Sequence, residues 1–476
     1  LQNSDYDLTD YGVNFSADSQ GSNNPIMFMV KGLTGGFPGI FGLLPYSVKL
    51  QEYSNFESRD LWEYDLDLTI EQIKKFAYSL YEINVNPINY YYFDENCSYI
   101  LLALLDATDN NFNLTDKFNF WVNPSDTVKA VTSIPGIVKK IHYRPSSLKK
   151  FLSRYRLLDS SKDEDLLFID MFNGKIKLAE LKTSVEKESV ARILDAVLEY
   201  IDYRERVAGT GDIKTNSKLR EDSRFARSEL KIVSNQINPS PPQSQRVDLG
   251  VPGARLGLTP FYRTQNVGFG NLLEFRPALH DIKSPNLGYS KDAQIELFNL
   301  KLGYLEKSHD FFLDSLNLVS ILSLATLQYP VIPLAWKLKV FSEHDNFCRL
   351  DSYSKKCLKT GLETGGGFVV KSKKELLQYY LMLITNAGYS ISDKFKAGAG
   401  VENALIIRPN ETSVFYLGGK LLKYYNFKKK KDENNFLYEG NYSFNLNSFM
   451  ESRFGVKYYV QPKVWEMYAS LYYYFY

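Results

Sequence analysis

The sequence predicts an α+β chain that ends in an antiparallel β-barrel of about 12 strands. Three observations predict it. The apolar period changes from helical to alternating after a proline-rich boundary. Aromatic residues make up 15% of the 476-residue chain, with 35 tyrosines among them. Turn signals recur between alternating runs of about ten residues.

The alternation is read directly. Phe298, Leu300, Leu302 and Tyr304 alternate with Asn299, Lys301 and Gly303. Trp336, Leu338 and Val340 alternate with Lys337 and Lys339. In the closing stretch Trp465, Met467, Ala469, Leu471, Tyr473 and Phe475 form one face. Between such runs lie "PNET" from Pro409, "KKKKDENN" from Lys428 and "TGGG" from Thr364, each read as a turn. This spacing suits a soluble β-sandwich or lectin-like domain, or an outer-membrane barrel with apolar residues toward lipid. Long strands, tyrosines near strand ends and the aromatic terminus Tyr476 favour the membrane. Closure also satisfies every strand edge, which lipid requires. "LNLVSILSLATL" is apolar on both faces. A bulge, or a lumen packed by the other domain, is expected there.

Ahead of the barrel domain, residues 246–476, two other regions are expected. Residues 1–150 mix short strands, glycine-rich loops and helices. Thr69 and Gln72 have capping-box spacing, and Ile70, Ile73, Ala77, Leu80 and Tyr81 form the face of the helix that follows. Glycine and proline mark Lys31 to Tyr46 as a shaped loop. Its Ile40, Phe41, Leu43 and Leu44 read as core ahead of a lipid-facing lip. Residues 151–237 read as a charged helical connector, with Val190, Ile193, Leu194, Val197, Leu198 and Ile201 on one stripe. "NPSPPQSQ", Asn238 to Gln245, is the boundary. Net charge is +2, which gives no electrostatic case for a nucleic-acid partner. No run of eighteen apolar residues marks a membrane helix. No signal peptide is visible, and the sequence begins at Leu1.

Three cysteines remain to be explained. Cys348 and Cys357 lie close together in a polar segment, as a disulfide or as two free thiols. Cys97 has no obvious partner. Tyr90 to Phe93 read as a buried strand, and Asp94 and Asn96 are both good N-caps. Cys97 then falls in the first turn of an apolar helix. Free amides and the helix dipole there favour a thiolate. The alternative is a small hydrophobe in a core. A nucleophilic thiol needs a base, usually histidine. His142, His280, His309 and His344 are available, and none has a convincing companion; His309 and His344 read as solvent-facing loop residues.

"DYGVNFSAD", "KGLTGGFPGIFGLLPYSVKLQEY", "ESRDLWEYDLDLT" and "YYFDENCSYILLALLDA" together resemble the Lnb-type N-terminal periplasmic domain family. "HYRPS" and "EFRPALHDI" are similar to downstream stretches of its long members, which carry a C-terminal β-domain. The resemblance implies a permuted papain-like fold for residues 1–150, related to lecithin-retinol acyltransferase and NlpC/P60 proteins. It implies a bacterial outer-membrane location with a periplasmic N-terminal domain. It also implies a lipoprotein N-acyltransferase without cofactor or metal. Cys97 would carry a thioester between a phospholipid donor and the α-amine of a lipoprotein, with Asn96 at its side. The family's histidine lies in a Gly-His motif shortly before the segment matching "DYGVNFSAD". Here that segment starts almost at residue 1, so a truncated N-terminus and a base upstream of Leu1 are expected. Two alternatives stand beside this: an NlpC/P60-like thiol amidase or peptidase on peptidoglycan, and a non-enzymatic, barrel-anchored periplasmic module.

Overall fold

The computed structural model describes residues 10–18, 27, 31–32, 34–50, 59–86, 88–119, 121–204, 213–237, 239–265, 267–344, 357–372, 375–461 and 463–476. In chain order the first elements are β1 (Tyr11–Ala17), β2 (Phe37–Pro45), α1 (Tyr46–Leu50), β3 (Leu61–Leu66), α2 (Ile70–Val85) and β4 (Ile88–Tyr90). Then come α3 (Cys97–Asp106), α4 (Pro124–Thr132), β5 (Val138–Arg144), α5 (Ser147–Tyr155), α6 (Glu164–Phe172), α7 (Leu178–Ser184), α8 (Lys187–Tyr203) and α9 (Ile213–Glu229). Compactness divides the chain into two units. One is Leu1–Tyr92, Ala107–Asp109 and Ile134–Pro242; the other is Phe93–Asp106, Asn110–Ser133 and Gln243–Tyr476. The division at Pro242 falls inside the proline-rich boundary. The segment carrying Cys97 groups with residues 243–476.

In the first unit, β1, β2 and β4 form an antiparallel sheet, and β3 pairs with β5. β2 corrects the expected loop. It pairs with β1 from Tyr11↔Pro45 to Ala17↔Gly39. Gly39 is there for clearance rather than for a turn: a Cβ would sit 2.2 Å from the Phe15 ring. That ring is buried against Phe41, at 4.8 Å between centroids. Ile40, Leu43 and Leu44 are not core; they are 48%, 64% and 38% exposed. On α2 the capping box is present: Gln72 N donates to Thr69 Oγ1 at 3.3 Å, and Thr69 N donates to Gln72 Oε1 at 2.8 Å. The more buried face is turned from the expected one. Ile73 and Leu80 lie on it with Phe76 and Ile83, while Ile70, Ala77 and Tyr81 are exposed. The α8 stripe is buried at Val190, Ile193, Leu194, Val197 and Ile201, and partly so at Leu198. It packs with Phe151 and Phe168.

The second unit holds a closed barrel. Its strands are β6 (Ala254–Arg263), β7 (Gly268–Arg276), β8 (Ala278–His280), β9 (Ala293–Leu305), β10 (Asp310–Ser323), β11 (Ala335–His344) and β12 (Leu358–Lys371). They continue as β13 (Leu377–Ser390), β14 (Lys394–Asn410), β15 (Ser413–Asn426), β16 (Lys431–Asn447), β17 (Met450–Tyr459) and β18 (Val464–Phe475). β7 and β8 pair in succession with the same strand, β9, so they count as one interrupted strand. β18 returns to β6, which closes an antiparallel ring of 12. Among the described residues each of the 12 strands of the ring has a neighbour on both sides, as lipid requires.

Side chains sort as the alternation predicts. Outward, Leu258, Leu383, Trp465, Met467, Leu471 and Tyr473 are exposed. Inward, charges are buried and paired. Lys337 bridges Glu363 at 2.8 Å and Glu402 at 2.6 Å, and Lys420 reaches Glu363 at 2.6 Å. Apolar outside with ion pairs inside is the pattern of a barrel in lipid. "TGGG" is corrected from turn to strand interior, within β12. Its glycines allow close strand approach: a Cβ on Gly367 would sit 2.0 Å from the Leu381 carbonyl oxygen. The doubly apolar "LNLVSILSLATL" does hold a bulge, with a register shift at Asn317/Val319, and a second shift lies just ahead of it at Leu313/Ser315. Cys348 lies outside the described residues, while Cys357 is buried and disulfide-bonded.

The lumen is plugged at the end where the chain enters the barrel. Residues 277–290, leading from β7 to β9, are mostly buried. Asp281 accepts from Arg255 at 2.7 Å, Arg276 at 3.2 Å and Arg453 at 3.1 Å. Ile282 joins an apolar cluster with Tyr380, Met382 and Leu422. Lys283 crosses to Glu439 at 2.6 Å. The interior holds a cavity of about 400 Å³ lined by charges of both signs.

Candidate functional site

The strand expected over Tyr90 to Phe93 ends at Tyr90, and residues 91–96 turn instead. Aromatic packing draws Phe93 out of line. Its ring meets Trp121 edge-on at 4.2 Å and Phe298 of β9 at 5.9 Å. Asn96 is buried and caps α3. Its Oδ1 accepts from Ser98 N at 3.1 Å, Tyr99 N at 3.2 Å and Ser98 Oγ at 2.8 Å. Its Nδ2 donates to the Val122 carbonyl at 2.7 Å. Both halves of the amide are therefore in use.

Cys97 is the first residue of α3, half-buried, and a free thiol. Of the first-turn amides, those of Ser98 and Tyr99 are taken by Asn96. The N–H of Cys97 itself has no partner among the described residues. The helix behind is anchored by buried Ile100, Leu102 and Leu104. At its far end Asp106 accepts from Leu114 N at 2.8 Å and Thr115 N at 2.9 Å. The local field is negative. Burial first, and then the charges of Asp94, Glu95, Asp106 and Asp116, raise the Tyr99 hydroxyl above its ordinary value.

The sequence reading missed a second group, on α4. Asp126 and Lys129 are 1% and 4% exposed and pair at 2.9 Å. Asp126 also accepts from Gly253 N at 3.1 Å and from Asn123 Nδ2 at 3.2 Å. Asn123 donates to the Pro277 carbonyl at 3.2 Å, and Lys129 donates to the Val251 carbonyl. Ser125 Oγ meets Tyr289 OH at 3.1 Å. Burial pushes the Lys129 ammonium below its ordinary value, against the pull of Asp126. These bonds staple the Cys97-bearing segment to the start of β6 and to the plug. The signal was present: "NPSD" starts a helix, and Asp126 and Lys129 have i,i+3 spacing.

No histidine hydrogen-bonds to Cys97 among the described residues. His142 Nε2 lies 3.1 Å from Asp65 Oδ2, on paired strands β5 and β3. His280 is buried with its ring stacked 4.7 Å from Tyr289. His309 is exposed and meets Tyr304 OH at 2.8 Å, as a loop residue would. His344 departs from the expected solvent-facing loop: it ends β11 and lies 2.7 Å from the Leu313 carbonyl oxygen. No set of three or more His, Cys, Asp or Glu side chains suited to a metal occurs among the described residues.

Residues 2–133 match the family model of the Lnb N-terminal periplasmic domain. Residues 248–476 match a domain of unknown function, DUF7840. No curated protein matches. Among solved structures, an outer membrane channel from Pseudomonas putida F1 aligns over 50% of this chain and 100% of its own, at 9% identity and TM-score 0.30. The NanC porin aligns over 46% and 99%, at 8% identity and TM-score 0.30. The KdgM porin aligns over 47% and 99%, at 6% identity and TM-score 0.28. The barrel assignment rests on its own strand pairing. The chain is an outer-membrane protein that joins an Lnb-type N-terminal periplasmic domain to a C-terminal 12-strand antiparallel β-barrel.

Proposed function

We propose that the chain works as a barrel-anchored periplasmic module that holds the Cys97 helix against one end of the barrel. The support is the buried Asp126–Lys129 staple, which ties the segment around Cys97 to residues 251–253 and to the plug. A flexible tether would not need a buried ion pair, whose desolvation is costly. In this reading the module positions a surface for partners at the membrane.

One observation favours a chemical second reading, N-acyl transfer to lipoproteins. Cys97 is a free, half-buried thiol on the first residue of a helix, with its own N–H unclaimed among the described residues. The sulfur would attack the acyl carbonyl of a phospholipid. The ester C–O bond breaks, and the lysophospholipid alcohol leaves with the thiol proton. The α-amine of a lipoprotein then attacks the thioester carbon. The C–S bond breaks, an amide forms, and the displaced amine proton restores the thiol. The Cys97 N–H would hold the developing oxyanion. A peptidoglycan amidase would use the same thiol on an amide.

Intact mass spectrometry of the full chain, reconstituted in phosphatidylethanolamine vesicles, decides between these readings. An acyl-sized mass increase on Cys97, lost in Cys97→Ser, supports transfer. An unmodified thiol with no turnover of diacylated peptide or peptidoglycan stem leaves the module reading. Cleavage of the stem overturns both.

A further inference from the structure

A second surface stands at the opposite end of the barrel. Two neighbouring hairpins turn there, β13 to β14 at residues 391–393 and β15 to β16 at residues 427–430. Residues 389–396 and 423–433 together carry seven lysines against three carboxylates. The three carboxylates are already engaged. Asp393 and Glu433 bind Lys396 at 2.8 Å and 2.7 Å and also Lys429, and Asp432 binds Lys423 at 2.9 Å. Four exposed lysines are left without a carboxylate among the described residues. Lys394 lies 5.8 Å from the Tyr389 ring centre, and Lys428 donates to the Ser392 carbonyl at 2.7 Å. Lys430 and Lys431 extend from the turn.

Directly on the same strand ends sit exposed aromatic rings. Phe395 and Phe427 are 5.4 Å apart, and Tyr425 meets Phe427 edge-on at 5.0 Å. Such rings sit at the level of lipid headgroups. The chain enters the barrel at the other end, where α4 is bonded to Val251, Gly253 and Pro277, so this end is taken to face the outer leaflet. Unpaired cations above an aromatic platform complement an amphiphile with anionic headgroups and apolar chains. We infer that this rim binds a phosphorylated glycolipid of the outer leaflet, its phosphates on Lys394, Lys428, Lys430 and Lys431 and its acyl chains on Phe395 and Phe427. The site is independent of Cys97.

The test uses the purified full chain in dodecyl maltoside. It is titrated with a bis-phosphorylated acylated disaccharide, with the same glycolipid after phosphatase treatment, and with inorganic phosphate, and adducts are counted by native mass spectrometry. The phosphorylated glycolipid should bind at least tenfold tighter than its dephosphorylated form. Lys394→Gln, Lys428→Gln, Lys430→Gln and Lys431→Gln combined should remove that preference. Equal binding of the two glycolipids overturns the inference, as does an unchanged preference in the variant. Equal competition by inorganic phosphate reduces the rim to a phosphate site and also overturns it. Should the combined variant lose the heat-modifiable gel mobility of a folded barrel, Lys430→Gln on the exposed turn and Lys431→Gln at the first residue of β16, each alone, read the same preference.

Discussion

Replacing Asp126 by alanine should free the Cys97 segment from the barrel while leaving the barrel closed. Lys129 would then be a nearly fully buried cation facing only the Val251 carbonyl and the Tyr289 hydroxyl. Removing one partner of a buried pair costs about 3–5 kcal/mol. The Gly253 N–H would lose its acceptor as well. At about 1.4 kcal/mol per tenfold, the opening of α4 and the Cys97 helix should become at least about 100-fold more frequent. Hydrogen–deuterium exchange of peptides from 97–106 and 124–132 reads this directly, with peptides from β12 to β15 as the unchanged reference. Asp126→Leu with Lys129→Met removes both charges and should recover most of the protection. Protection in Asp126→Ala equal to that of the parent chain would refute the staple.

Other outcomes follow from the same structure. Asn96→Asp keeps the cap acceptor but loses the donor to Val122, so α3 should fray less than in Asn96→Ala, where about 1 kcal/mol of capping goes too; α3 exchange rates separate the two. Burial raises the Glu164 carboxyl, but hydrogen bonds from Arg192 and the neighbouring groups outweigh it, and the net value is below the ordinary one. Stability from Glu164 is therefore present above about pH 4.5 and lost as pH falls through its folded value. Helical ellipticity should show this loss, and Glu164→Gln should flatten it. The plugged lumen should carry no steady current in a planar bilayer, and Asp281→Ala, which strips three arginines of their common acceptor, should introduce channel openings. Gly39→Ala should destabilise β1–β2 by about 1–3 kcal/mol, measured by chemical denaturation, since its Cβ meets the Phe15 ring.

The barrel was legible because its alternation has a period of two over many residues. Trp465, Met467, Leu471 and Tyr473 face outward as their spacing required. Glycine was the main source of error. In β2 and β12 it makes room for a ring or a neighbouring strand, and no local pattern distinguishes that from a turn. The site was legible in part. Asn96 and Cys97 at the helix start could be read from capping chemistry. Of the staple only the i,i+3 spacing of Asp126 and Lys129 could be read; its anchor could not, because Asp126 accepts from Gly253 across a sequence separation of 127 residues. The plug was hidden for the same reason: Asp281 and Arg453 are 172 residues apart.

The seam between the first and last strands has a consequence for how the barrel is made. Arg263 of β6 binds Glu466 of β18, Thr259 bonds Ser470 at 2.8 Å, and Arg255 lies 4.1 Å over the Tyr472 ring. Lys457 also depends on Glu466, at 2.9 Å. Without the final strand, Arg263 and Lys457 would lose their carboxylate partner Glu466, whereas Arg255 would keep Glu274 and Asp281. The last strand thus supplies lumenal charge partners as well as the backbone seam, and a chain lacking β18 should fail to close the ring.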